Sequence, residues 1–130
     1  LNGWYLFELP ANGTFNLILN DNGSPQVDGP AVFTAGSHFF DVNTEWVEST
    51  NTVTIQNEAG YNDPRLYAWG DGEIYGGWRG IKPNSNENGT LVFPLPNDGG
   101  TYNLILNSDS GTQQDISAVI ANQSYSFTAK

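Results

Sequence analysis

Asn16-Leu-Ile-Leu-Asn20 recurs letter for letter as Asn103-Leu-Ile-Leu-Asn107, preceded by Gly13-Thr-Phe15 in one place and by Gly100-Thr-Tyr102 in the other. The match extends outward without a gap: Gly13–Asn43 aligns on Gly100–Lys130 at a constant offset of 87, with 13 of 31 positions identical. Gln26 falls on Gln113, Asp28 on Asp115 and Phe40 on Phe127. With one residue of slippage, Asn2-Gly-Trp-Tyr-Leu-Phe7 falls on Asn88-Gly-Thr-Leu-Val-Phe93. Chance similarity between two single strands is common, but over so long an ungapped stretch it is not. The repeated runs alternate apolar and polar residues at period two, which is the pattern of half-buried strands.

The same alternation recurs along the chain. It predicts strands at Trp4–Leu9, Phe15–Asn20, Ala31–Thr34, Phe39–Val42, Thr52–Gln56, Leu66–Trp69, Thr90–Leu95, Tyr102–Asn107, Ala118–Ile120 and Tyr125–Thr128. Turn chemistry separates them at Pro10-Ala-Asn-Gly13, Asp21-Asn-Gly23, Asn62-Asp-Pro64, Gly70-Asp-Gly72 and Asn97-Asp-Gly-Gly100. Gly and Asn tolerate positive φ there, and Pro pre-sets the first turn position. No stretch carries a 3.6-residue period. Many short strands with frequent turns predict an all-β protein, an antiparallel, immunoglobulin-like β-sandwich.

The repeat is out of phase. The second copy has a long N-terminal part, Thr52–Lys82, with no counterpart in the first. Residues 1–45 therefore read as a partial repeat matching the C-terminal half of the unit, and 46–130 as one complete unit, with Glu45–Asn51 as the joint. Half a sandwich cannot bury enough surface alone. It is expected to pack on the complete unit; exchange with another chain and a boundary inside a tandem array are the alternatives.

Composition narrows the function. Fourteen acidic residues against four Lys and Arg give a net charge of −10, the wrong sign for a phosphate backbone or an anionic membrane surface. No apolar run approaches the roughly 20 residues of a spanning helix. With no cysteine and a single histidine, His38, thiolate and multi-histidine metal sites are excluded and a histidine-based triad is disfavoured. His38 aligns with Tyr125, which favours a structural ring. Neither a cofactor nor a metal is expected; Asp21-Asn-Gly23 lacks the ligand spacing of a calcium loop.

The stretch that carries chemistry is Leu66-Tyr-Ala-Trp-Gly-Asp-Gly-Glu-Ile-Tyr-Gly-Gly-Trp-Arg-Gly80. Tyr67 and Trp69 are two apart, so they leave a strand on one face, and Trp78 arrives after a Gly-rich turn. Glycines beside a large ring leave its face open to a ligand. Such rings suit sugars, whose apolar C–H faces are edged with hydroxyls. The competing reading buries Tyr67 and Trp69 as a core pair. Asp71 and Glu73 raise the question of a glycosidase, but that chemistry needs two carboxylates across a scissile bond, about 5 or about 6.5–9.5 Å apart in a cleft. They read better as solvated turn residues or hydroxyl acceptors, and no enzymatic activity is expected.

Leu-Tyr-Ala-Trp, a short loop and Gly-Gly-Trp-Arg-Gly together resemble the starch-binding modules of carbohydrate-binding family 26. Tyr102-Asn-Leu-Ile-Leu-Asn107 followed by Gly111-Thr-Gln-Gln-Asp-Ile116 is similar to that family's strand-and-turn segment. The order agrees over about Val53–Lys130, and Asn2–Asn43 resembles the second half again. The resemblance implies a sandwich that stacks glucose rings on Tyr67, Trp69 and Trp78, with Gln113 or Gln114 hydrogen-bonding sugar hydroxyls. Arg79 stands where the family has proline, and the Gln-to-Asp segment is one residue shorter than usual. The implied partner is an α-glucan: starch, amylopectin or maltooligosaccharides. The implied setting is secreted or cell-surface, within a larger multidomain protein. A structural or adhesive cell-surface sandwich that binds no sugar is the alternative. In the first copy, Gln26 reads as a turn residue or a relic of a site. Trp4, Tyr5 and Trp46 read as packing residues or a second sugar contact.

Overall fold

The structure, a computed structural model, describes residues 4–9, 13–20, 26–33 and 36–130, with the side chains of 30–33 left aside. The expected turn at Asp21-Asn-Gly23 lies outside the described residues, as do Pro10-Ala-Asn12 and Thr34 from two further predicted elements. In chain order the strands are β1 (Thr14–Asn20), β2 (Gln26–Phe33), β3 (Phe40–Val42), β4 (Trp46–Glu48), β5 (Thr52–Asn57), β6 (Arg65–Gly70), β7 (Ser85–Glu87), β8 (Thr90–Pro94), β9 (Thr101–Asn107), β10 (Gln113–Ile120) and β11 (Tyr125–Ala129).

The protein is all-β, and its complete unit is a sandwich. One sheet runs β10-β9-β6 and the other β11-β5-β8-β7. Alternation decides what each contributes to the core. Val53 and Ile55 of β5, and Leu91 and Phe93 of β8, face Leu66 and Ala68 of β6 and Tyr102, Leu104 and Leu106 of β9, all of them buried. Each such side chain contributes about 1.5–3 kcal/mol on leaving water, Ala68 less. All strand pairs are antiparallel except β11 with β5, which is parallel, from Tyr125 opposite Val53 to Ala129 opposite Asn57.

The two hairpins of the sequence repeat share one register. β1 pairs β2 from Thr14 opposite Phe33 to Asn20 opposite Gln26; β9 pairs β10 from Thr101 opposite Ile120 to Asn107 opposite Gln113. Both carry a register shift at the same place, after Asn16 in β1 and beside Asp115 in β10. Gln26 is thus the first residue of a strand, not a turn residue, and its amide donates to Asp28 (3.3 Å).

The described residues of the N-terminal part and of the joint touch the rest of the complete unit through a short chain of contacts. Trp4 Nε1–H donates to Asp98 (2.8 Å), its ring meets Phe39 edge-on at 5.4 Å, and Phe39 meets Tyr75 at 5.9 Å. Ser37 exchanges two hydrogen bonds with the Asn84 side chain, and Ser49 Oγ donates to the Leu95 carbonyl (2.6 Å). Trp46 packs edge-on against Phe40 (5.3 Å) and donates to the Val27 carbonyl (2.9 Å). His38 is a structural ring: Nδ1 lies 2.8 Å from Glu48 and the imidazole stacks on Phe40.

Several elements depart from the sequence expectation. Trp4–Leu9 is not a strand, because a ladder needs a neighbour and no described strand runs beside it. β4 falls inside the expected joint, and β7 is polar throughout; both are held by pairing rather than by an apolar pattern. β10 begins at Gln113, so both glutamines sit on a strand.

Candidate functional site

The site grows from β6. Leu66 and Ala68 point into the core, so Tyr67 and Trp69 leave the sheet on its outer face. Two cross-strand rows extend that face: Tyr67–Ile105–Asp115 and Trp69–Asn103–Ala118. Trp69 is 50% exposed and Trp78 56%, while Tyr67 is half-buried between its neighbours. The Trp78 ring stands edge-on to Tyr67, centroids 5.2 Å apart and planes at 70°. The three rings are brought to one side of the sandwich, and the core-pair reading of Tyr67 and Trp69 does not hold.

The loop after β6 is anchored at both ends. Ile74 and Tyr75 are buried, and the Tyr75 hydroxyl donates to the Pro94 carbonyl (2.7 Å). On the far side, Leu66 and Ile81 exchange backbone hydrogen bonds of 2.9 and 3.0 Å. Gly80, at φ +84°, lets the chain press onto β6: a Cβ there would lie 1.8 Å from the Leu66 carbonyl oxygen. Only a residue without a side chain fits.

Arg79 locks the tip, and its peptide bond with Trp78 is cis. Its Nε donates to Asn107 Oδ1 (2.8 Å), and its terminal nitrogens donate to the Asp63 carboxylate (3.0 Å) and carbonyl (2.6 Å). Buried Asn107 returns two bonds, from Nδ2 to the carbonyls of Arg65 (3.2 Å) and Arg79 (3.0 Å). The guanidinium bound to Asp63 holds that carboxyl below its usual range. Tyr67 donates its hydroxyl to Glu73, and this bond to a carboxylate, with some desolvation, raises the phenol above its ordinary value. A charge-assisted bond of this kind fixes the ring azimuth.

The two glutamines part company. Gln113 is opposite Asn107 and exposed, on the outer face beyond β9. Gln114 is opposite Leu106, on the core side, half-buried, and its Oε1 has no hydrogen-bond partner. Asp71 accepts from the Thr101 N–H (2.8 Å), so the two loop carboxylates each clasp the platform's frame. Reading residue types missed Tyr75 and Asn107, which help set the loop, and left Arg79 without a role; the signals for the first two are a lone Tyr inside a Gly-rich run and an Asn ending an apolar strand. Among the described residues, no group of three or more His, Asp and Glu is arranged to hold a metal ion.

No family model matches the sequence, and no curated protein or solved structure matches it either.

Proposed function

We propose that the protein binds an α-glucan non-catalytically, stacking glucose rings on Trp69 and Trp78 with Tyr67 between them. One observation carries this: two tryptophans half open to solvent on one side of the sandwich, Trp69 on a paired strand and Trp78 standing edge-on to Tyr67. An aromatic exposed singly on a sandwich needs no explanation, but rings gathered on one side are costly to hydrate and offer apolar area to a sugar. Glu73 and Asn103 border the platform with groups able to meet hydroxyls, and Gln113 stands further out on the same face. The likeness of Leu66–Gly80 to the starch-binding modules of family 26 points to starch and maltooligosaccharides as the glucan class. In this reading the protein holds a larger secreted or cell-surface assembly against starch. A single shallow site binds weakly, and linked sites gain through effective concentration.

Affinity electrophoresis in gels containing amylopectin, with a cellulose derivative as control, tests this. Wild type is retarded by amylopectin only, and Trp69→Ala and Trp78→Ala each weaken the retardation about tenfold, or about 1.4 kcal/mol. Wild type running unretarded in amylopectin refutes the proposal.

A further inference from the structure

The outer face of the β10-β9-β6 sheet carries an apolar side chain beyond the rings already described. Among the described residues from Thr52 onward, three large apolar side chains are exposed: Trp69, Trp78 and Ile120, the last at 47%. One exposed apolar residue standing alone is ordinary on a protein surface. Ile120 does not stand alone. Its neighbour Val119 is buried opposite Tyr102, so Ile120 leaves β10 on the outer face, the face from which Trp69 leaves β6. Trp69, Asn103 and Ala118 form one cross-strand row there; Asp71, Thr101 and Ile120 form the next.

The ground between the two apolar residues is low. Two strand spacings, about 10 Å, separate the backbones of Trp69 and Ala118, and Ile120 stands one row further on. Asn103, Thr101 and the small Ala118 make the floor of a shallow trough with Trp69 at one end and Ile120 at the other. Asp71 is the one charged residue of these two rows, and its carboxylate already accepts from the Thr101 N–H, which suits a neutral ligand. Ile120 is also held in place. β10 ends there, where a strand would fray, but Tyr125 clasps its backbone. The Ile120 N–H donates to the Tyr125 oxygen, and the Tyr125 hydroxyl donates to the Ile120 carbonyl, both at 3.1 Å. A β-branched side chain on a held backbone keeps few rotamers, so a ligand that covers it orders little.

We propose that Ile120 is a further sugar contact, reached by a glucan chain that runs across the strands from the rings of β6 and its loop to the end of β10. This rests on the α-glucan reading of Trp69 and Trp78 and extends it to chain length. In the extended site the apolar C–H face of one glucose unit lies on Ile120 and Ala118, as others lie on the rings, and its hydroxyls meet the Asn103 amide and the Thr101 hydroxyl. A short oligosaccharide occupies the rings alone, while a longer one covers the trough as well. The contact at Ile120 is apolar area removed from water, and only a chain long enough to cross the sheet gains it. Ile120 thus sets a preference for long chains over short ones.

Titration calorimetry of maltotriose and maltoheptaose against wild type, Ile120→Thr and Ala118→Arg tests this. Threonine keeps the β-branched shape and the strand preference of isoleucine, and both positions are exposed, so thermal midpoints close to wild type verify that the variants fold. Ile120→Thr is expected to weaken maltoheptaose about fivefold, or about 1 kcal/mol, and to leave maltotriose unchanged. Ala118→Arg, which raises a long side chain from the floor, is expected to do the same. Comparing variant with wild type on the same sugar cancels the larger number of registers open to a longer chain. If wild type binds both sugars and the two variants weaken them equally, or weaken neither, the extension to Ile120 is overturned and the rings alone are the site. If wild type binds neither sugar, the α-glucan reading itself is overturned, and the extension with it.

Discussion

Replacing Asn107 with Ala removes the node that ties the platform loop to the sheet. Its side chain makes three bonds while almost wholly buried: two from Nδ2 to the Arg65 and Arg79 carbonyls, and one from the Arg79 guanidinium to Oδ1. Neutral bonds contribute about 1 kcal/mol each and a bond to a charged group about 1.5–3 kcal/mol. The Ala variant makes none of them and leaves two carbonyls and an Arg N–H poorly placed for water. The expected loss is therefore about 4 kcal/mol. For a unit of this size, that lowers Tm by on the order of 15 °C or more. Asn103→Ala is the control in the same strand: its side chain is on the outer face and has one long contact, 3.4 Å, to the Trp69 carbonyl. That variant is expected to lose under about 1 kcal/mol. Urea titrations of all three proteins, followed by tryptophan fluorescence, give the free energies by linear extrapolation. If Asn107→Ala costs no more than Asn103→Ala, the network is not what holds the loop, and the account of how Trp78 is positioned is wrong.

Two further outcomes follow from the same geometry. Gly80→Ala forces a Cβ into the Leu66 carbonyl at φ +84° and is expected to cost 3 kcal/mol or more, about enough to unfold the loop; Gly111→Ala, at φ +91° with nothing within 4 Å, pays only the backbone strain of about 1 kcal/mol. Equal Tm losses for the two contradict the close approach. The second outcome concerns pH. Tyr67, Tyr75 and Tyr102 all have phenols raised above 10.0, Tyr67 chiefly by its bond to Glu73, the other two chiefly by burial. A raised folded-state value means the neutral phenol is favoured in the fold, so its stabilisation is complete below pH about 10 and is lost as pH climbs through the folded value. Denaturant midpoints should hold steady up to about pH 10 and fall above it, and Tyr75→Phe should flatten the fall; an unchanged slope in that variant counts against the burial argument.

Much of the fold was legible because alternation is a local property. Leu66-Tyr-Ala-Trp69 puts Tyr67 and Trp69 on one face and Leu66 and Ala68 on the other without reference to any other strand, but with apolar residues on both faces the letters left open which one is core. The repeat made the second hairpin legible twice over. What failed were features that depend on a partner. Trp4–Leu9 has the pattern of a strand and no neighbour to complete it. β7 has a neighbour and no apolar pattern. Gln113 and Gln114 look equivalent as letters, but pairing of β10 with β9 sends one to the outer face and the other to the core side. The frame of the platform was invisible for the same reason: Asp63, Arg79 and Asn107 are far apart in sequence and meet only once β6 and β9 are paired.

The parallel union of β5 with β11 has a mechanical meaning. Thr52 begins one strand and Ala129 ends the other, so a pull applied between the two ends of the complete unit draws these strands past each other along their length. Five residue pairs, Tyr125 with Val53 through Ala129 with Asn57, then bear the load together instead of opening one after another. A seam stressed in this direction yields only when many bonds fail at once, and the rate of that failure sets its lifetime under force.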